Sequence, residues 1–271
     1  MSRLDKYKGI DVSVFMDGDS LHPFTILIGP KGQGKHTAVE EMRKKSGYPF
    51  FVYDSNIEGV RQCIQDCQGL NGDKVFVFYD VDNMSAGAKN ALLKICEEPP
   101  RYVHILMTVC NKDNLPGTII SRAKCFNLPQ YSVDDLADIL DDYTPEWDER
   151  ILDIATNPGE AIELLNIGVG ELYEFAEKIY NNILKVSTSN AFKIANSVAF
   201  KDTDDGFPVI LLLKVFQRVV LLDMLNTSEN VFDKGTIISE TQMALNQLSI
   251  ASANKRSIFD IWLLNIRRLR K

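Results

Sequence analysis

Val75–Pro100 reads VFVFYDVDNMSAGAKNALLKICEEPP, and this stretch decides the fold. Val75–Tyr79 is an unbroken apolar and aromatic run, the pattern of a strand buried on both faces. It delivers Asp80 at its end, and a helix over Ala86–Glu97 follows until Pro99 and Pro100 stop it. A buried strand ending in a carboxylate is half of a P-loop nucleotide site. The next residue is Val81, which has no atom able to polarise water. Asp82 lies two residues past Asp80 and projects to the same side of an extended strand end.

The other half lies upstream. Phe24–Ile28 (FTILI) is a short buried strand, and Gly29-Pro30-Lys31-Gly32-Gln33-Gly34-Lys35-His36-Thr37 then opens a helix running to about Lys45. Glycines let backbone N–H groups wrap phosphates, and the helix N-terminus adds a favourable dipole. The candidate nucleotide-binding residues are Gly29, Lys31, Gly32, Gly34, Lys35, His36, Thr37 and Asp80, with Lys35 reaching the β- and γ-phosphates. The residue after the lysine is usually Ser or Thr, whose hydroxyl joins the Mg²⁺ shell. Here it is His36, and imidazole suits a hard, oxygen-seeking ion poorly. Thr37 is turned about 100° further around the helix and cannot simply stand in. The expected cofactor is ATP or ADP at a degenerate P-loop. Mg²⁺ is disfavoured there.

Further strand–helix alternation surrounds these halves. Pro49–Tyr53 and Tyr102–Met107 are strand-like, Ile57–Gln68 is helical, and Cys125–Leu128 completes the series. The expected class is α/β, a parallel sheet with helices on both faces. After Pro129 the β character ends. Helices are predicted over Val133–Leu140, Glu146–Ala155 and Gly159–Leu165, then longer amphipathic ones from Gly170, broken at Gly206-Phe207-Pro208 and Thr227–Lys234. The predicted division is a nucleotide-fold core over 1–129, a helical lid over 130–168 and a helical C-terminal domain over 169–271.

Composition narrows the function classes. A net charge of −7 over 271 residues confines any nucleic-acid contact to a local patch. The five cysteines contain one close pair, Cys63 and Cys67, without the second pair that a zinc site needs. Free thiols and a reducing, cytoplasmic setting are expected. The opening residues are polar, so no secretory segment is expected, and Val209–Phe216 is too short to span a bilayer. His22, His36 and His104 are too scattered for a metal or a catalytic triad, and His104 reads as a core residue. Glu97 and Glu98 precede Pro-Pro at a helix end, where a structural or interface role is expected. The basic tail from Arg267 to Lys271 suits the negative end of a helix dipole.

Asn90–Pro100 (NALLKICEEPP) and Thr118–Arg122 (TIISR) together resemble the AAA+ subunits of sliding-clamp loaders. Within that family the likeness is to the bacterial delta-prime subunit, with gamma/tau next. Leu21–Pro30, Asn157–Ala161 and Ala253–Ile266 extend it over most of the chain. The resemblance implies an AAA+ core, a lid and a collar that holds a hetero-oligomer. Its implied partners are ATPase gamma/tau-type and delta-type subunits, the sliding clamp and primer–template DNA, with no membrane.

Carried over by position, Lys35 and Asp80 match the phosphate-binding lysine and the metal-associated aspartate. Val81 departs at the catalytic glutamate, His36 at the metal-side hydroxyl, and Glu160 stands where related ATPases often place a nucleotide-sensing arginine. Thr108 and Asn111 fall in the first sensor region. Arg122 matches the arginine that enters a neighbour's ATP site, although Ala123 replaces the cysteine that usually follows. Lys89 and Lys94 lie where the family tracks the DNA backbone, a sequence-independent contact. The implied role is a non-hydrolysing, delta-prime-like subunit. Two alternatives stay open: an active motor subunit in which Asp82 activates water, and an AAA+-like interaction module outside replication.

Overall fold

The computed structural model describes residues 11–18, 20–69, 72–97, 100, 102–183, 189–190, 208–227, 230–249 and 253–268. The chain divides into two compact units, 1–135 with 157–159, and 136–156 with 160–271. Glu98, Pro99, Gly206, Phe207, Arg270 and Lys271 lie outside the described residues.

The first unit opens with a small hairpin, β1 (Met16–Asp17) and β2 (Ser20–Leu21). Its centre is a parallel sheet of β3 (Phe24–Ile28), β4 (Phe50–Tyr53), β5 (Lys74–Phe78), β6 (Val103–Val109) and β7 (Lys124–Asn127). The spatial order is β4-β5-β6-β3-β7. Every residue of β3, β5 and β6 is buried, as continuous apolar runs require when helices cover both faces. Lys74 is the charged exception, and its ammonium lies over the rings of Tyr102 at 4.9 Å and Phe76 at 5.7 Å.

On one face α1 (Lys35–Ser46) buries Ala38, Val39 and Met42 with Val12, Phe15 and Leu21 from the segment before the sheet. Gly47 ends this helix in the left-handed region (φ 66°), its N–H returning to the Arg43 carbonyl at 3.2 Å. On the other face α2 (Ile57–Gly69) and α3 (Ala86–Glu97) contribute Val60, Cys63, Ala88, Leu92 and Ile95 to a second core. The short α4 (Gly117–Ile120) joins them through Ile119. The register pairs Ile28 with Val109 and Phe78 with Met107, so the carboxyl ends of β3, β6 and β5 stand side by side. In open parallel sheets that rim is where ligands bind.

The remaining elements are helical. They begin with α5 (Val133–Tyr143), α6 (Pro158–Ile167) and α7 (Val169–Ile183). Then follow α8 (Val209–Asn226), α9 (Val231–Leu248) and α10 (Lys255–Arg268). The helix predicted over Glu146–Ala155 does not form. A single 3₁₀ turn over Glu149–Ile151 stands there, because the Asp148 carboxylate accepts the Arg150 N–H at 3.0 Å and sets a local turn instead. In the second unit Phe216 meets Trp262 edge-on with ring centroids 5.0 Å apart, and the indole N–H donates to Thr241 Oγ1 at 3.0 Å. A buried indole thus keeps its hydrogen bond. Among the described residues no helix is long and apolar enough to cross a membrane.

Candidate functional site

The phosphate loop leaves β3 at Gly29, whose N–H donates to the Val109 carbonyl at 3.1 Å. Gly32 (φ 86°) and Gly34 (φ 88°) adopt backbone angles that side chains disfavour, which curls the loop so that successive N–H groups can line a concave surface. Gly34 caps α1 without any side-chain bond to the first turn. Lys31 is exposed, and Thr37 is partly buried. Lys35 is buried, and its ammonium donates to the carbonyls of Gly29 at 2.7 Å and Pro30 at 3.1 Å and to Cys110 Sγ at 3.4 Å.

The crest of the loop is held by the start of α6. The Gly159 N–H donates to the Gly32 carbonyl at 3.0 Å, and Asn157 is buried beside Gly32. Gln33 fixes the other flank, its side-chain amide donating to the Pro129 carbonyl at 2.5 Å.

The side chain that meets His36 is that of Tyr79, the residue before Asp80. The two rings stack with centroids 3.8 Å apart and planes 15° from parallel. Sequence reading missed Tyr79, because it assigned that residue to the strand and gave the facing position to Asp80. The strand ends at Phe78, and this earlier exit carries Tyr79 to the rim. Burial lowers the His36 pKa, with Asp80 opposing, and pushes the Tyr79 phenol up to about 12. Both rings are therefore neutral near pH 7.

Asp80 takes a left-handed backbone (φ 49°, ψ 47°), and its N–H donates to Thr108 Oγ1 at 3.0 Å. Val81 is fully buried in the core beneath α2 and α3. Asp82 is buried too. Its Oδ2 accepts the N–H groups of Cys110 and Asn111, both at 3.1 Å, and its Oδ1 has no hydrogen-bond partner. Asn111 is spent locally, its Oδ1 accepting the Asp113 N–H at 2.9 Å.

A nucleotide fold of this kind implies Mg²⁺, and the residues present do not suit it. The residue after the lysine carries imidazole, and its ring lies against the Tyr79 phenol. Among the described residues the one group with metal-ligand potential is Asp80, Asp82 and Cys110, whose donor atoms lie within 4.8 Å of one another. One of these donors is sulfur, and burial pushes the Cys110 thiol up, which keeps it protonated. A protonated thiol is a poor ligand for a hard ion, and the Lys35 ammonium already stands against it.

Arg122 follows α4. Its Nη1 donates to the Thr118 carbonyl at 2.9 Å, and the side chain is 40% exposed. Lys89 donates to the carbonyls of Asp82 and Asn114, both at 2.9 Å, so it ties together two rim loops. Lys94 is exposed on α3. Glu160 belongs to the second unit, where both its oxygens bind the Lys214 ammonium at 2.6 and 2.7 Å and one also accepts from Thr156. All five cysteines are free.

A family model described as DNA polymerase III, delta subunit, matches residues 26–132. The tau/gamma subunit of DNA polymerase III from Haemophilus influenzae is 44% identical over 77 residues, 27% of this chain and 11% of that protein. The gamma subunit from Buchnera aphidicola subsp. Schizaphis graminum is 34% identical over 113 residues, 39% of this chain and 31% of that protein. The matched segments thus span well under half the length of these relatives. The crystal structure of a DNA polymerase III gamma subunit-related protein from Thermotoga maritima shares the fold. It has a TM-score of 0.53 at 19% identity, covering 92% of this chain and 95% of that one.

Proposed function

The core of this chain belongs to the AAA+ clamp-loader subunit family of DNA polymerase III, and from that premise we propose that it acts as a non-hydrolysing, delta-prime-like subunit. In this reading it joins gamma/tau-type and delta-type subunits in a cytoplasmic hetero-oligomer that loads the sliding clamp onto primer–template DNA. Residues 1–129 form the AAA+ core, 130–168 the lid, and 169–271 the collar that holds the assembly. Its own phosphate loop, through Gly29, Lys31, Gly32, Gly34, Lys35 and Thr37, holds ATP or ADP without turning it over.

The observation that carries this reading is the stack of His36 on Tyr79. Hydrolysis at a P-loop depends on a metal held by a hydroxyl and a carboxylate, and neither group meets the other here. Asp82, the base of the alternative motor reading, is buried, and its Oδ2 is held by two backbone N–H groups. Arg122, the last residue of the TIISR segment, is exposed, which suits a guanidinium that completes a neighbour's site. A planar, permanently charged fork stabilises charge on the transferred phosphoryl group. Lys94 is the cation available for the DNA backbone, because Lys89 is spent on two carbonyls.

ATP turnover by the isolated chain tests the reading. A rate near background supports it, and substantial turnover that Lys35→Ala abolishes replaces it with the motor subunit.

A further inference from the structure

We propose that the phosphate loop takes a nucleoside di- or triphosphate as the free anion, without a divalent cation. The inference rests on the nucleotide-holding part of the proposed function and concerns only this chain's own site.

The geometry supplies three supports. The first is steric. In P-loop enzymes the ion sits between the hydroxyl after the lysine and a carboxylate at the end of a neighbouring strand. In this chain the residue after the lysine is His36, and its ring lies against that of Tyr79, next to the strand-end carboxylate Asp80, at a centroid distance of 3.8 Å, so no gap remains between the rings for a hydrated ion. Mg²⁺ keeps several waters and an octahedral shell when it binds, which raises the space it needs.

The second support is the placing of negative charge. Asp80 follows directly after Tyr79, yet its left-handed backbone groups its carboxylate with Asp82 and Cys110. Asp82 is fixed by the N–H groups of Cys110 and Asn111. The Lys35 ammonium reaches the edge of that group, 3.4 Å from Cys110 Sγ. A second, divalent cation would have to enter against it.

The third support is that an anion cradle persists without the metal. Gly32 and Gly34 hold positive φ, Gly34 leaves the first turn of α1 free of a side-chain cap, and Lys35 stands at the same end of the helix. Backbone N–H groups in such a curl bind phosphate oxygens directly. The loop is also braced from outside, by Gly159 on Gly32 and by Gln33 on Pro129, so its curl does not depend on an ion. With no metal to offset one phosphate's charge, the diphosphate suits this cradle better than the triphosphate.

Calorimetric titration of the full chain with ADP, in excess Mg²⁺ and again in excess EDTA, decides the matter. The proposal expects binding in both buffers with affinities within about threefold, a difference under ~0.7 kcal/mol. Lys35→Ala should abolish it in both. The double variant His36→Ser with Tyr79→Asp should gain a preference for Mg²⁺ of at least about tenfold. Loss of wild-type ADP binding in EDTA would overturn the proposal. So would absence of binding in either buffer, or a double variant as indifferent to Mg²⁺ as the wild type. None of these results bears on Arg122, whose action is read in a partner's turnover, so the stator reading stands or falls separately.

Discussion

The guanidinium of Arg122 lies 3.7 Å from the carboxylate of Glu97, which links the end of α3 to the turn after α4. The two segments that carry the family likeness, NALLKICEEPP and TIISR, therefore meet through Glu97 and Arg122. Both side chains are 40% exposed or more, and such ion pairs contribute about 0–1 kcal/mol. The pair holds Arg122 loosely, which is compatible with its proposed reach into another subunit. Glu97→Gln is accordingly predicted to change folding stability by less than about 1 kcal/mol in urea denaturation. A larger loss would make the pair a structural bond instead.

Gly159→Ala is predicted to be costly in spite of its small size. A Cβ at this position would overlap the Gly32 Cα, a backbone atom that no rotamer change can move aside. Overpacking of this kind costs roughly 1–3 kcal/mol. Thermal or urea denaturation measures it, and Gly168→Ala offers no equivalent contrast because its φ is positive (86°). Gly117→Ala, with open space around its Cβ position, is the proper control.

Glu160 and Lys214 form a part-buried pair with side chains 18% and 23% exposed. Lys214→Met takes the ammonium away from the part-buried Glu160 carboxylate and should destabilise the second unit by about 1–3 kcal/mol. A double-mutant cycle with Glu160→Gln isolates the coupling, because the second substitution removes the stranded charge. A coupling indistinguishable from zero would contradict the geometry.

Two histidines give the stability a defined pH dependence. Burial lowers the pKa of His36, and burial followed by the Lys124 charge lowers that of His22. In the unfolded chain both take up protons near pH 6.5. Their contribution is present above that value and is lost as pH falls below it toward the folded-state pKa values, since the unfolded state then binds more protons. The melting temperature should decline as pH drops through about 6.5. His36→Phe keeps a ring against Tyr79 and removes its proton, so its decline should be shallower; an identical slope would exclude His36 as a source.

Much of this was legible in the sequence, and the failures have physical causes. The apolar runs Phe24–Ile28 and Val75–Tyr79 announced buried parallel strands, because unbroken apolar runs of that length suit an extended segment buried on both faces. Ala86–Glu97 was readable to the residue, since prolines bound its far end. The strand's exit at Phe78 was not readable. Tyr79 has high strand propensity, and only the left-handed turn at Asp80 shows where the chain leaves the sheet. That single residue brings Tyr79 to the rim beside His36, while Val81 lies in the core. Glu160 shows the same limit, because its partner Lys214 is 54 residues away and no local pattern joins them.

The central claim is that this chain serves a neighbour's nucleotide through Arg122 and does not turn over its own. The direct measurement is ATP hydrolysis by the complex reconstituted with a gamma/tau-type ATPase subunit, comparing wild type with Arg122→Ala. The account predicts near-background turnover by this chain alone and a fall of about 10³-fold in the complex when Arg122 is lost. An assembled Arg122→Ala complex hydrolysing ATP at the wild-type rate would contradict it.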